Sequence, residues 1–332
     1  MSLINQNNKQ QLDIKIRDFE QSDYPEIARI NNAVYPDSPI TAEEYIEMDQ
    51  NRNKKCKHRR WVAIADNTTV GTGIYTQHIY QYHPQKYNIR VIVLPEYQNK
   101  GIGSKLFNLI EEMLIPFNPV AIKSEARDDM NNAVRFLEAR GYKEFQRYAE
   151  PHLDVDSFDF ALYENLLKNL KSRGIEIKTM KELETDPRRD RKMYELEQEL
   201  GPDMPDEDGF TPIDFETFKK EIIEASYTIP DAYFIAVEGD RYIGLSVLMK
   251  FKTDKSLFTG LTGVKRSYRR LGIATCLKVR AIGYAKKNHY SKIKTENQFG
   301  NQPMLSLNRK LGFRKQYDWI CFKKLLENNS EK

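Results

Sequence analysis

Cysteine is scarce in this sequence, and long apolar runs are missing. The three cysteines, Cys56, Cys276 and Cys321, are far apart and odd in number, so they indicate neither a disulfide framework nor a Cys-x-x-Cys metal clip. No apolar run approaches the roughly 20 residues that span a membrane. The polar N-terminal residues lack the apolar segment of a signal peptide. We therefore expect a cytoplasmic protein, because thiols stay reduced in that compartment.

The sequence also lacks an excess of charge of either sign. Lysine and arginine together number 52 and aspartate and glutamate 48, which leaves a net charge of +4. This balance predicts neither a nucleic-acid partner nor a membrane partner. Hydrophobic residues make up 40% of the 332 residues, which suffices for the cores of two domains of about 150 residues each.

Two similar halves, which we call the first and the second repeat, make up the chain. A constant offset of 171 residues relates many of their matching positions. The matched pairs are Gly101 and Gly272, Ile122 and Ile293, Glu125 and Glu296, and Gly141 and Gly312. The period is too long for a solenoid, whose repeats have about 20–50 residues. Each repeat is therefore predicted to be a whole domain.

Each repeat is predicted to be an α+β domain with a mixed, mostly antiparallel sheet flanked by helices. An alternating strand and an amphipathic helix come first, followed by a hairpin and by a strand that enters a glycine segment. A long helix, another strand, a second helix and a last strand follow. The predicted boundaries are 1–155 for the first domain and 174–332 for the second. Leucines at helical spacing predict a connecting helix over 156–173.

A glycine segment between a strand and a helix is an arrangement that can bind phosphate. The first helical turn has N–H groups without partners and a partial positive charge, and glycine lets a ligand approach the backbone. The first segment contains Gln98, Asn99, Lys100, Gly101, Ile102, Gly103 and Ser104. The second contains Arg269, Arg270, Leu271, Gly272, Ile273, Ala274 and Thr275. The alternative for either copy is a helix start that binds nothing, and the duplication argues against that alternative.

At these segments the chain resembles the GNAT superfamily of N-acetyltransferases. Residues 93–103 look like the family's acyl-CoA pyrophosphate motif, and residues 262–274 are similar. Residues 132–142 and 301–313 resemble the family's later helix. The similarity occurs once in each repeat, and the two repeats together make up nearly the whole chain. It implies a sheet that opens after its fourth strand, with acetyl-CoA as co-substrate in the opening, and a tandem form in which one repeat can be degenerate.

Two positions depart from the family pattern. The tyrosine that often protonates the leaving thiolate corresponds to Leu137 and Asn308, so neither repeat keeps that acid. The asparagine that contacts pantetheine corresponds to Asn301 in the second repeat. In the first repeat the same position is Met130, with Asn131 beside it. We therefore expect the second repeat to be the more active one.

Acyl transfer to an amine requires a base, because a primary amine of pKa about 10.4 is neutral in roughly one molecule in 2,500 at pH 7. Glu296, at the end of the fifth strand of the second repeat, is the first candidate, and Glu125 is its counterpart. A surface carboxylate is the alternative for both. The resemblance implies that the backbone N–H of Val264 or Val93 polarises the thioester carbonyl. Tyr268 is a candidate substitute acid for the thiolate, or else a loop tyrosine that faces solvent.

GNAT domains place their acceptor-binding helices between the first strand and the hairpin. Residues 197–208 of the second repeat are strongly acidic there, which suits a cationic amine or else a solvated loop. Residues 51–60 of the first repeat are basic, and we interpret them as a solvated helix end because no aromatic residues interleave with them. His78 and His83 have no partners at ligand spacing, so no metal is predicted. Cys276 is expected in the core.

These observations predict an acyl-CoA-dependent N-acetyltransferase that acts on a primary amine of a small molecule or a peptide, by direct attack in a ternary complex. One alternative is a non-catalytic acyl-CoA-binding or sensing protein, since both thiolate acids are missing. Another is a pair of partner-binding domains whose loops hold no ligand. The sequence leaves antibiotics, polyamines, peptide amines and small thiol precursors open as acceptors.

Overall fold

A computed structural model describes residues 13–250, 252 and 255–326. The N-terminal residues, for which no signal peptide is predicted, lie largely outside these ranges. The strands of the first repeat are β1 (Ile14–Asp18), β2 (His58–Ala65), β3 (Thr68–Thr76), β4 (Lys86–Val93), β5 (Ala121–Arg127) and β6 (Lys143–Asp154). Its helices are α1 (Tyr24–Val34), α2 (Ala42–Asn51), α3 (Ile102–Leu114) and α4 (Asn131–Glu138).

The second repeat has the same order of elements. Helix α5 (Glu164–Ser172) lies inside the predicted connecting segment. The strands that follow are β7 (Ile175–Thr179), β8 (Thr228–Glu238), β9 (Arg241–Lys250), β10 (Ser256–Val264), β11 (Lys292–Thr295), β12 (Asn297–Gln298) and β13 (Arg314–Leu325). The helices are α6 (Arg189–Leu200), α7 (Phe215–Phe218), which continues as a π-helical turn over Lys219–Ile223, α8 (Ile273–Lys287) and α9 (Gln302–Lys310).

The predicted hairpins are present, and local chemistry explains the first. Asp66 and Asn67 connect β2 to β3 with φ values of 49° and 61°. Two successive residues with positive φ give the turn whose twist matches two antiparallel strands, and aspartate and asparagine tolerate that conformation. The α+β class with mixed, mostly antiparallel strands is confirmed, because among the described strands only β4–β5 and β10–β11 pair in parallel.

The strands of both repeats join in one continuous sheet, of order β1-β2-β3-β4-β5-β13-β6-β11-β10-β9-β8-β7, with β12 beside β6. The last strands are exchanged between the repeats. Strand β13 pairs with β5 of the first repeat, from Leu325 opposite Ala121 to Trp319 opposite Arg127. Strand β6 pairs with β11 of the second repeat. The sequence predicts a separate sheet for each repeat. The exchange of β6 and β13 joins these two sheets into one.

Apolar side chains form separate cores in the two repeats. In the first repeat, the apolar face of α3 packs on the sheet through Leu106, Phe107 and Ile110, all almost fully buried. In the second repeat, α8 packs on one face of the sheet, and α6 and α7 cover the other face with another apolar cluster. No helix in the described ranges is long and apolar enough to cross a membrane. The domain boundaries near 155 and 174 stay a prediction.

Candidate active site

The sheet opens into a fork in each repeat, as the resemblance implies. In the first repeat, β4 and β5 pair only from Lys86 opposite Ala121 to Asn88 opposite Lys123. The strands then separate, and the Ser124 hydroxyl donates a hydrogen bond of 2.9 Å to the carbonyl of Ile89 at the branch point. In the second repeat, β10 and β11 pair over Ser256–Thr259 and Lys292–Thr295 and then separate. Each fork offers space for a chain-like ligand beside strand backbone.

The backbone of Val93 faces the first fork. Its carbonyl accepts a hydrogen bond of 3.0 Å from the Gln98 side chain, whereas Leu94 donates to Val70 of β3. Because consecutive residues of a strand alternate in direction, the N–H of Val93 points away from β3 and towards the fork. Val264 has the same arrangement, with its carbonyl bonded to the Arg269 side chain at 3.0 Å. The predicted carbonyl-polarising groups are therefore directed into the forks.

The first glycine loop is open. Gly101 precedes α3 with φ +82°, and a methyl group placed on it would meet nothing within 4 Å. Asn99 also has positive φ, 59°, and Lys100 lies over the ring of Tyr97 with its ammonium 4.9 Å from the ring centre. The first N–H groups of α3 have no intrahelical partner. The loop therefore presents exposed backbone donors and the positive end of a helix to solvent.

The second glycine loop has the same backbone but is covered. Gly272 precedes α8 with φ +81°, yet a methyl group placed on it would lie 2.7 Å from the Cδ1 of Leu166 on α5. Arg266 and Arg269 are both bound to the carboxylate of Asp203, and the bond from Arg266 lowers the pKa of Asp203. This packing argues against a pyrophosphate on the second loop, and the predicted site there stays a prediction. An apolar side chain occupies the approach, and a carboxylate of the protein already pairs with the arginines.

Local contacts engage two more predicted residues of the second repeat, Asn301 and Tyr268, whose roles stay predictions. The Asn301 side chain caps α9 by accepting a hydrogen bond of 3.3 Å from the N–H of Met304. This bond engages the side-chain oxygen of Asn301 at the helix start. The Tyr268 hydroxyl donates to Glu238 at 2.7 Å, and this bond raises the pKa of Tyr268. Tyr268 also lies outside the cavity described next, so it is not placed to protonate a thiolate there.

A cavity of about 890 Å³ lies between the repeats, on the side of the first fork opposite α3. Both arms of that fork reach it. Its walls come from α2, β3 to β6, β13, the π-helical turn and a segment of the second repeat, residues 204–210, that we call the bridging segment. Lining residues include Tyr45, Ile74, Ile92, Arg90, Glu125, Tyr148, Phe210, Glu296, Trp319 and Cys321.

Glu125 and Glu296, the two predicted bases, open into this one cavity. Cys321 on β13 lies opposite Glu125 on β5. Enclosure by the protein, and next the charges of Glu125 and Glu150, raise the pKa of Glu296 to about 8. Within the described ranges, neither carboxylate receives an ion pair or a hydrogen bond. The forks were predicted to be separate sites, whereas the structure brings their two carboxylates together.

The acidic segment 197–208 does not form a free acceptor site in its own repeat, contrary to one reading of the sequence. The Asp208 carboxylate binds the ammonium groups of Lys86, at 2.6 Å, and of Lys123, both on the first repeat. Asp206 accepts hydrogen bonds from Gln81 at 2.7 Å and from Tyr148 at 2.9 Å. These contacts hold the bridging segment across the cavity and fix one of its walls.

The remaining candidates have structural positions. Cys276 is fully buried, as predicted, and burial raises its pKa to about 11. Arg52 and Arg60 of the basic segment pair with Asp49 and line the cavity, so this segment is more than a solvated helix end. His78 lines the cavity too, and burial lowers its pKa. The described residues hold no group of three or more side chains suited to a metal ion.

Sequence reasoning missed several lining residues, among them Arg90, Tyr148 and Trp319. Each lies on a strand in an ordinary alternating pattern, so only the pairing of the strands shows that they face a common space. Arg90 is held over the ring of Tyr35 at 5.0 Å from its centre, and its charge interacts with Glu125. No local motif could have indicated this grouping.

Two family models match the chain, one in each repeat. The acetyltransferase (GNAT) domain matches residues 57–144, and the acetyltransferase (GNAT) family matches residues 191–313. Together the matches span more than half of the chain, and each contains one glycine loop and one fork. Comparison with curated proteins gives no significant match.

Several solved structures are similar over nearly the whole chain. A tandem GNAT protein from the clavulanic acid biosynthesis pathway has a TM-score of 0.74 at 15% identity. The alignment covers 94% of this chain and 98% of the chain of that protein. A GCN5-related N-acetyltransferase from Sphaerobacter thermophilus has a TM-score of 0.69 at 19% identity, covering 94% and 95%. The glucosamine N-acetyltransferase region of a fungal multi-domain β-N-acetylglucosaminidase has a TM-score of 0.70 at 15% identity, covering 94% and 38%. At these low sequence identities, the similarity to the three structures shows a shared fold.

Proposed function

The chain belongs to the acetyltransferase (GNAT) family, and from this premise we propose that it transfers an acetyl group from acetyl-CoA to a primary amine. Acyl transfer from an acyl-CoA thioester is the chemistry that the family and the fold support. The proposed acceptor is an amine of a small molecule or a peptide, which attacks the thioester directly while both substrates are bound. A cytoplasmic location and the lack of a nucleic-acid partner stay predictions of the sequence.

One observation carries the placement of this reaction. The glycine loop at Gly101 is open, whereas Leu166 covers the equivalent loop at Gly272. A pyrophosphate needs direct access to the N–H groups of a helix start, and only the first loop gives that access. We therefore place acetyl-CoA in the first repeat, with its phosphates at residues 98–104 and its thioester in the fork beside Val93. This choice reverses the expectation that the second repeat is the more active one.

The geometry around the first fork suits acyl transfer. The N–H of Val93 is directed to the place where a thioester carbonyl would develop negative charge. The cavity reaches both arms of the same fork from the other side, through Ile92 on β4 and Glu125 on β5. An amine in the cavity would therefore meet the thioester across the fork. Producing the free amine at pH 7 costs about 4–5 kcal/mol, and a carboxylate in the cavity can lower that cost.

The test combines turnover with calorimetry on the intact chain. We expect one acetyl-CoA to bind per chain and CoA to be released with one class of amine from a panel of antibiotics, polyamines and peptide amines. Binding without turnover for every amine would support the non-catalytic acyl-CoA-binding alternative instead. If acetyl-CoA does not bind at millimolar concentration, both the proposed acetyltransferase function and the acyl-CoA-binding alternative are overturned.

A further inference from the structure

We propose that the two repeats build one active site, in which the first repeat holds acetyl-CoA and Glu296 of the second repeat accepts the proton of the attacking amine. The inference rests on the proposed function and adds to it a catalytic residue that acts across the boundary between the repeats.

The exchange of the last strands makes this arrangement possible. Strand β11, which ends just before Glu296, pairs with β6, and β6 pairs with β13, which in turn pairs with β5. Strand β12 follows Glu296 and pairs with β6 at Ala149 and Tyr148. Glu296 is thereby held at the end of the cavity that contains Glu125, and the two charges interact. Without the exchange, β6 would not join the two forks.

Among the described residues, side chains fill the places where substrates would bind in the second repeat, to which Glu296 belongs. Leu166 and Asp203 close the second glycine loop. On the opposite face of the second fork, a methyl group placed on Gly263 would lie 2.9 Å from the Cδ1 of Leu200 on α6. The equivalent position in the first repeat, Ile92, lines the cavity instead. The space that an acceptor would need in the second repeat is thus filled by an apolar core.

The charges around the two carboxylates suit different roles. Glu125 lies near Arg90, whose charge it interacts with, and two residues along the strand from Lys123. Glu296 faces mainly acidic and neutral groups. The titratable groups at this end of the cavity are Arg90 on β4, Lys123 and Glu125 on β5, Tyr148 and Glu150 on β6, Cys321 on β13 and Asp206 in the bridging segment. The acidic surroundings of Glu296 favour its taking up a proton, and the Glu125 carboxylate in the same cavity can hold a substrate cation.

The proposed step conserves atoms and electrons. The Glu296 carboxylate takes one proton from the substrate ammonium, and the freed nitrogen lone pair attacks the thioester carbonyl carbon. The C–N bond forms while the N–H of Val93 stabilises the oxyanion. The C–S bond then breaks, and the leaving sulfur takes a second proton from nitrogen, which yields the amide and the CoA thiol. This transfer needs no side-chain acid, in keeping with Leu137 and Asn308 at the tyrosine positions. The proton on Glu296 returns to solvent.

The experiment compares the pH profile of kcat/KM for wild type and Glu296→Gln. The base form of Glu296 increases as pH rises through about 8, so the wild-type rate should rise up to that pH and then level off. In Glu296→Gln we expect kcat/KM to fall about 10²–10⁴-fold at pH 8. The loss should shrink roughly tenfold per pH unit towards pH 10, because the amine then loses its own proton. Affinity for acetyl-CoA should not change.

Two further variants identify the role. Glu125→Gln should raise KM for the amine more than it lowers kcat, because it removes a charge that attracts the substrate. Glu195→Gln, in an exposed ion pair with Arg191 and outside the cavity, is the matched control and should leave the profile unchanged. Overlapping profiles for wild type and Glu296→Gln, or a lower melting temperature with an unchanged profile, would overturn the inference alone. A wild type that acylates no amine would overturn the proposed function and the inference with it.

Discussion

Gly101 and Gly272 begin equivalent helices with nearly the same φ, +82° and +81°, but their surroundings differ. No described residue lies within 4 Å of a methyl group placed on Gly101, whereas Leu166 packs on Gly272 and Asp203 binds the neighbouring arginines. Left-handed glycine before a helix is a device for starting the helix, and both repeats need it. Binding of a phosphate needs the same backbone and, in addition, open space. A motif can therefore keep its structural use after its ligand is excluded.

The face of the continuous sheet that lies opposite α3 and α8 also differs between the two repeats. In the second repeat, α6 and α7 fill that face with a packed apolar cluster that includes Met193, Leu196, Leu200, Tyr233 and Leu245. In the first repeat the corresponding face opens into the cavity through Ile74, Arg90 and Ile92. In the second repeat this face is packed and stabilises the fold. The second repeat contributes Glu296 and the bridging segment to the cavity beside the first fork. The contrast indicates that the first repeat provides the open cavity and the second repeat provides a packed support for it.

The largest expected effect tests which loop binds acetyl-CoA. Gly101→Val places a branched side chain on the open loop at positive φ and blocks access to the helix start, so kcat/KM should fall by on the order of 10²-fold or more. Gly272→Val carries the same backbone strain and should lower the melting temperature, but the folded fraction should keep its turnover. Steady-state kinetics and calorimetry on both variants provide the measurement. The reverse ranking would restore the second repeat as the acyl-CoA site.

An intermediate effect concerns the contacts that hold the exchanged strands together. Glu150 on β6 is buried and accepts hydrogen bonds of 2.8 Å from both Tyr317 and Trp319 on β13. Its equivalent in the other repeat, Cys321, opens into the cavity. Glu150→Gln should destabilise the protein by about 3 kcal/mol, because charge-assisted hydrogen bonds are lost in a buried site. Cys321→Ala should cost less, and denaturant unfolding of both variants decides the comparison.

The same carboxylate predicts a pH dependence of stability. Burial alone would raise the pKa of Glu150, but hydrogen bonds from His152, Trp319 and Tyr317 outweigh it and lower the pKa. A lowered pKa contributes stability that is present above the ordinary glutamate value and is lost as pH falls through the folded value. The difference between wild type and Glu150→Gln should therefore shrink on acidification below about pH 4.5. A difference that stays constant down to pH 3 would show that Glu150 is not charged in the fold.

The smallest expected effect concerns the cover on the second loop. Leu166 is half-buried on Gly272, so Leu166→Ala should cost about 1 kcal/mol of stability. Arg269 stays bound to Asp203 in this variant, and we expect calorimetry to show one acetyl-CoA per chain still. Two bound molecules per chain would mean that Leu166 alone keeps the second loop closed.

Much of the fold could be predicted from local patterns. The hairpin at Asp66 and Asn67, the helix starts at Gly101 and Gly272 and the amphipathic helix α3 each depend on residues within one or two turns of chain. Such signals survive in each repeat whether or not the repeat binds a ligand. That is why the duplicated motif by itself does not tell which repeat binds a ligand, and why the pattern around Asn301 does not show that its side chain caps α9.

The sequence by itself determined the duplication, the α+β class and the order of elements, and its resemblance to a family implied the fork that follows the fourth strand of each repeat. The tertiary structure alone decided that β6 and β13 exchange partners, that Leu166 covers Gly272, and that Glu125 and Glu296 meet in one cavity. The physical reason is that β6 and β13 occupy equivalent positions, so the local pattern of each suits either sheet. Contacts distant in sequence, such as those of Glu150 with Tyr317 and Trp319, specify which pairing forms.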